Sequence, residues 1–414
     1  MKTMRTLYLF FISIMFIVHS SYGEQGTWTV KADINNSERA AAVAFSIGSK
    51  GYVGTGCTEV NNAIVRFNDF WEYDPANNTW SQKVSFPGTA RTAAVGFSIG
   101  NKGYIGTGYT GTANKNDFWE YDPANNTWLQ KNNFPGSARA SATGFSIGTK
   151  GYLGTGYDGT HRLKDFWEYD PVNDSWLQKA DAGDSCRAGA GGFSIGGKGY
   201  IGAGSYNPSA AAKDFWEYDP NNDTWMKKAN FPGTPRIYAR GFSIGTKGYM
   251  GTGSDDANFE AKGDFCEYDP ASNTWTLKPD VGGPARREAI AFSIGGKGYF
   301  GMGRSYYNLS NGVYTYYGDF WEYSPTSTGI DNIEPSSLFS VYPNPCNGNT
   351  TVRLDKKLND AAIRLINIAG QTVIQETKVE EDHFTFDISD QPNGIYFVEV
   401  KDKEKISRVK LVKN

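Results

Sequence analysis

Short runs of alternating apolar and polar residues fill most of the chain, separated by Gly, Asn, Asp and Pro. Alternation of this kind predicts half-buried strands, and no stretch keeps a helical period. The runs repeat. The unit "NNTWSQKVSFPGTARTAAVGFSIGNKGYIGTG", Asn77–Gly108, recurs nearly verbatim at Asn125–Gly156 and more loosely four other times. The heptapeptide "DFWEYDP" stands at Asp69–Pro75, Asp117–Pro123, Asp165–Pro171 and Asp214–Pro220, with variants at Asp264–Pro270 and Asp319–Pro325. Spacings within the unit are constant. Trp28, Trp80, Trp128, Trp176, Trp225 and Trp275 are each followed at a fixed interval by Arg39, Arg91, Arg139, Arg187, Arg236 and Arg286. "FSIG" and then a tyrosine follow at further fixed intervals, and the whole period is 48 to 55 residues.

Each unit divides into four extended runs. In the first copy strand a is "AAVAFSIG", strand b "GYVGTG", strand c "DFWEYD" and strand d "TWSQKV". The a–b and c–d connections are tight turns rich in Gly, Pro, Asn and Asp. Six four-stranded units predict an all-β fold, a six-bladed β-propeller from about Glu24 to Pro325. The first copy begins at strand d and the last stops after strand c. The N-terminal "TWTV" is therefore expected to complete the last blade and remove an open edge. The strand-b tyrosine, the "EYDPANNTW" tyrosine–tryptophan pair and the arginine before strand a resemble the kelch repeat family. One feature departs from it: strand b ends in Gly54-Thr55-Gly56 where kelch repeats place two adjacent glycines. The resemblance covers roughly three hundred residues and implies the fold.

Composition agrees with an all-β protein, with 15% aromatic residues, 49 glycines and only 21% charged residues. Residues 1–23, with Lys2 and Arg5 before an apolar run from Leu7 to Val18, read as a secretory signal peptide. No later segment is apolar enough to span a membrane. Signal removal leaves 39 basic residues against 44 acidic ones, so nucleic acid is not an expected partner. Cys57, Cys186, Cys266 and Cys346 show no disulfide framework, and only His161 and His383 remain after signal removal. A multi-histidine metal centre is not expected, nor is any cofactor.

Length varies in one place, the b–c connection. Alternating strand direction puts the b–c and d–a connections on one face, where binding is expected. The sixth b–c loop, Arg304–Gly318, is the longest and carries Tyr306, Tyr307, Tyr314, Tyr316 and Tyr317. Tyrosine offers a flat apolar ring and a hydroxyl, suited to a sugar or a protein partner. Arg304 opens that loop. Asp158, His161 and Arg162 are candidates in the third b–c loop; a lone histidine there reads as solvated or as an acid–base group. The arginine row, Arg39, Arg91, Arg139, Arg187, Arg236 and Arg286, would circle the channel mouth and grip an anion. Its competing role is structural: ion pairs with Glu72, Glu120, Glu168, Glu217, Glu267 and Glu322, or bonds to loop carbonyls. Cys266 replaces the heptapeptide tryptophan in blade 5, where looser packing is expected.

After Pro325 the composition changes. Residues 326–337 form a polar linker, and residues 338–414 read as short strands of a small immunoglobulin-like β-sandwich. "YPNPCNG", "LINIAGQTV", "NGIYFVEV" and the basic "RVKLVKN" end resemble the type IX secretion C-terminal sorting domain. That resemblance implies export through the type IX translocon by way of the periplasm, removal of the domain, and release of the propeller or its anchoring at the outer-membrane surface.

The expected role is a secreted or surface binding protein for a glycan or a surface protein. Alternatives are a carbohydrate-active enzyme, of mutarotase, epimerase or lyase type, and a structural adhesion component. Deleting residues 338–414 is expected to leave the propeller in the periplasm. Cell fractionation checks this, and surface display of the truncated chain would refute the sorting role.

Overall fold

The computed structural model describes residues 26–34, 37–207, 210–255, 260–305, 314–325, 339–354, 361–367, 371–379, 382–402 and 405–414. The expected signal peptide and linker lie outside them. All regular structure in these residues is strand. Contacts divide the chain into two compact units, Met1–Thr326 and Ser327–Asn414.

The first unit holds six four-stranded antiparallel sheets. Blade 2 is typical, with strands a to d at Val95–Ile99, Lys102–Gly106, Phe118–Asp122 and Thr127–Lys131. The a strands form the inner ring. Val43–Ile47 touches both Val95–Ile99 and Ile290–Ile294, so the ring closes. Closure is completed at the rim: Thr27–Lys31 pairs with Phe320–Ser324 as strand d of blade 6.

The heptapeptide wedges blade against blade. Phe70 reaches forward to Tyr121 and Trp128 of blade 2, at centroid distances of 4.8 and 5.0 Å. Tyr73 reaches back to Tyr299 and Phe320 of blade 6, at 5.6 and 4.9 Å. Edge-to-face pairs of this kind add about 0.5–1.5 kcal/mol each beyond burial. Strand a contributes a second wedge. The Phe45 ring lies on Gly103 of the next blade, where a Cβ would come within 2.4 Å of it. Glycine in strand b is thus required by close approach.

The repeated arginines are the hub of each blade. All six are buried, at 0–1% exposure. Arg139 is representative: its two terminal nitrogens donate to Asp165 Oδ1 and Oδ2 at 2.6 and 2.7 Å. It also donates to the Thr155 and Ser137 carbonyls and lies 4.6 Å from the Phe134 ring centroid. The partner is the first residue of the heptapeptide, Asp69, Asp117, Asp165, Asp214, Asp264 or Asp319, and not the strand-c glutamate. Glu72, Glu120, Glu168, Glu217, Glu267 and Glu322 instead accept from the strand-b tyrosines, as in Tyr52 to Glu72 at 2.6 Å. The reason is position. The aspartate precedes strand c at the end where arginine enters, while the glutamate points from the strand at the neighbouring tyrosine. The heptapeptide tryptophan reinforces the aspartate, with Trp167 Nε1 donating to Asp165 at 2.8 Å. In blade 5, Cys266 cannot make this bond, yet it is buried at 1% exposure among Met250, Tyr268 and Phe231. The packing there is not loose; one hydrogen bond is missing.

The second unit is a pair of facing sheets. Phe339–Tyr342, Asn349–Leu354 and His383–Asp387 form one, and Thr372–Val379, Ala361–Asn367, Gly394–Asp402 and Lys405–Lys413 the other. Val352, Phe386, Leu365, Val398 and Leu411 share one core between them. Phe339–Tyr342 is a strand that the alternation pattern did not reveal.

Arg139→Ala leaves a half-buried aspartate without its partner and is expected to cost about 3–5 kcal/mol. Glu168→Gln removes the charge from one hydrogen bond and is expected to cost about 1 kcal/mol. Chemical denaturation of the two variants checks which carboxylate anchors the blade.

Candidate functional site

Three positions in every blade converge on the axis at the face that carries the b–c loops. The first two directly follow the buried arginine, and the third follows the Gly-x-Gly of strand b. They pair across a β-bridge, as Ala40 with Cys57 or Arg287 with Arg304. The second position takes a left-handed backbone throughout: Ala41, Ala93, Ser141, Gly189, Tyr238 and Glu288 have φ between 52° and 66°. In five of the six blades its amide donates to the same position of the preceding blade. Ala93 bonds Ala41 and Ser141 bonds Ala93 at 2.9 Å, Gly189 bonds Ser141 at 2.8 Å, and Tyr238 bonds Gly189 at 2.7 Å. Ala41 bonds Glu288 at 2.9 Å and so crosses the closure. A belt of five backbone bonds therefore runs around the axis from Tyr238 through Ala41 to Glu288.

This belt floors a cavity of about 440 Å³. Ala41, Ala93 and Ser141 leave it open on one side, and Tyr238, Glu288 and Arg304 bound the other. Tyr109 and Tyr157, each 38% exposed, stand on its wall. Beneath it runs a narrow channel lined mainly by Ala, Gly and Val, with Arg240 projecting into it.

Blade 6 breaks the repeat. Where other blades carry mostly small or neutral residues, it places Arg287, Glu288 and Arg304. Glu288 is buried at 5% exposure. Its carboxylate lies 2.7 Å from Arg304 Nε and accepts from Arg304 Nη2 at 3.0 Å and Arg287 Nη2 at 3.3 Å. Arg304 also lies 4.2 Å from the Tyr314 ring centroid, and Arg287 lies 4.7 Å from that of Tyr238. Burial raises the Glu288 pKa, but the Arg304, Arg287 and Arg240 guanidiniums outweigh it and hold the carboxyl below the ordinary value. Burial pushes the Cys57 thiol up, so it stays protonated. Tyr316 is pushed up to about 12, also chiefly by burial.

The fold does not need these charges. Ala, Ser and Gly make the same backbone in four blades. A left-handed tyrosine or glutamate costs of order 1 kcal/mol relative to glycine. Residues that break a repeat at such a cost point to function.

The expected site residues fall into three groups. Arg304 lines the cavity, with Tyr314 and Tyr316 stacked behind it. The six repeated arginines do not face it; each is buried in its own blade against aspartate, which corrects the expected anion-gripping ring. Tyr317 lies 4.9 Å from Arg286 and belongs to that hub. His161 is exposed, and Asp158 caps the Thr160 and His161 amides at 2.7 and 2.6 Å, so this pair shapes a loop tip. Arg162 donates to Ser205 at 2.9 Å and lies over Tyr157. Tyr306 and Tyr307 lie outside the described residues. Among those residues no group of His, Cys, Asp or Glu could hold a metal.

Sequence reasoning missed Tyr109, Tyr157, Tyr238, Arg287 and Glu288. A signal existed. Aligned on the repeat, the second residue after arginine reads Ala, Ala, Ser, Gly, Tyr, Glu, and only blade 6 has "RRE" there.

Residues 340–414 match the family described as the secretion system C-terminal sorting domain. That match indicates export by type IX secretion, to the cell surface or into the medium. No curated protein matches the chain. The solved structure titled "Structure of YjhT" is similar, with a TM-score of 0.57 and 13% identity over 69% of this chain and 94% of that one. At that identity the likeness shows the propeller-like fold.

Because the folded Glu288 pKa lies below the unfolded value of about 4.3, its stabilisation is present above that pH and lost as pH falls through the folded value. Glu288→Gln is therefore expected to destabilise at neutral pH, with the difference from wild type narrowing below about pH 4. Thermal melts across this range check it.

Proposed function

We propose that the propeller is an exported binding module and that its ligand, a glycan, seats in the axial cavity. One observation carries this reading: Tyr109 and Tyr157 present partly exposed rings on a cavity whose other wall is charged. Sugars have apolar C–H faces for such rings and hydroxyls for fixed polar groups. A volume of about 440 Å³ lies within the usual range for small-ligand sites. Type IX export would place the cavity outside the cell, where glycans are presented. The sorting domain would be removed on export, leaving the propeller released or anchored at the surface.

The enzymatic reading is less well supported. A mutarotase, epimerase or lyase needs a group poised to exchange a proton near neutral pH. Glu288, the carboxylate lining this cavity, is held ionised by its arginines.

A glycan array probed with the purified chain tests the proposal. Wild type is expected to retain a defined set of glycans unchanged. The double variant Tyr109→Ala/Tyr157→Ala is expected to fold but bind at least about tenfold more weakly. Full retention by that variant refutes the site, and an altered sugar spectrum in NMR favours the enzyme.

A further inference from the structure

Five arginines are grouped around the axial cavity: Arg304 on its wall, Arg240 in the channel, Arg287 on Glu288, and Arg66 and Arg162 behind Tyr109 and Tyr157. Arg66 lies over the Tyr109 ring at 5.5 Å and Arg162 over the Tyr157 ring at 5.8 Å. Arg162 also borders a shallow groove between blades 3 and 4. Arg240 occupies the channel below, where its Nε donates to the Ala289 carbonyl at 3.0 Å. Arg287 and Arg304 share Glu288. Among the described residues no carboxylate lies within ion-pair distance of Arg66, Arg162 or Arg240. Nearby acids are engaged elsewhere: Asp158 caps its own loop, and Asp255 pairs with Lys262.

The charge balance is therefore inverted locally. The chain as a whole carries a formal charge of −3, yet five guanidiniums here face one carboxylate. Field lines concentrate in a half-enclosed, low-dielectric site, so this excess acts strongly on a ligand. The excess has a direction. Cys57, on the cavity wall, is the cross-strand partner of Arg66 and packs with Tyr316, which accepts from Arg304, so these two arginines stand about one stretch of it. Arg66 Nε is buried and makes no hydrogen bond. The same holds for Nε of Arg287 and Arg304, so what sets Arg66 apart is that no carboxylate pairs with it among the described residues.

We propose that the ligand is an acidic glycan whose carboxylate or sulfate group docks between Arg66 and Arg304, while its sugar ring rests on Tyr109. This rests on the cavity being the binding site. Glu288 then has a positioning role, holding the Arg304 guanidinium at the cavity wall together with Tyr316, whose hydroxyl accepts from Arg304 Nη1 at 3.3 Å. Blades 1 to 5 carry no arginine at the position of Arg304, so the anion has one orientation in an otherwise near-symmetric ring.

Ligand-observed NMR titration of the full chain with galacturonate, galactose 6-sulfate and galactose provides the test. At least one acidic sugar is expected to bind about tenfold or more tightly than galactose, as a charge-assisted hydrogen bond requires; which one identifies the anion. Arg66→Gln touches no carboxylate and is expected to keep the fold by circular dichroism. It should cut acidic-sugar affinity about tenfold and so abolish most of the preference over galactose. Arg304→Gln, scored only if folded, should do the same. Equal affinity for acidic and neutral sugars overturns the anion site but leaves the cavity as a sugar site. Acidic-sugar binding that survives Arg66→Gln also overturns it. Absence of binding by all three sugars, with an array showing only neutral glycans retained, overturns the anion site alone; a blank array overturns both readings.

Discussion

The propeller depends on one interaction made six times, the buried bidentate pair between arginine and aspartate. In each blade the guanidinium arrives just before strand a. It binds the aspartate that opens strand c and a carbonyl between the two glycines that end strand b. Three strand ends are thereby fixed to one planar group. Burying such a pair is costly, and its net stabilisation is small or negative against an apolar substitute. What it secures is geometry. A fork with five donors fixes the angle between strands more tightly than packed methyl groups would.

The left-handed belt follows from that geometry. With strand a and the end of strand b pinned, the residue two after the arginine must turn, and in five of the six blades its amide meets the carbonyl of the preceding blade. Five blades solve this with Ala, Ser, Gly or Tyr, and the sixth with Glu288. The scaffold is nearly six-fold, so function has to come from departures from symmetry. The departures fall where the scaffold is rigid, which under the proposed binding role would fix the orientation of a ligand. The aromatic wedges between blades keep the ring round and are indifferent to what the mouth carries.

Much of this was legible in the chain. Constant spacings from Trp28 to Trp275 marked the blades, and the missing strand at each end marked the closure by Thr27–Lys31. The heptapeptide's role as a wedge followed from aromatics on alternating faces. The arginine's partner did not follow. Asp165 and Glu168 are both acidic, equally repeated and three residues apart, and only the crossing from strand b to strand c shows which one meets Arg139. Tyr314 and Arg304 were visible because their loop is long. Glu288 was not, because it sits in a loop of constant length, where only comparison between blades marks it.

Sequence alone determined the number of blades, the order of the four strands within each, the splice of the two ends and the export tail. These follow from short-range periodicity and repetition, which are properties of a line of residues. The tertiary structure decided which acid each arginine binds, that six arginines are buried, and that residues from five blades share one cavity. Those depend on curvature. A ring brings to one axis positions that lie about fifty residues apart, and no local pattern records how strongly each blade turns toward it.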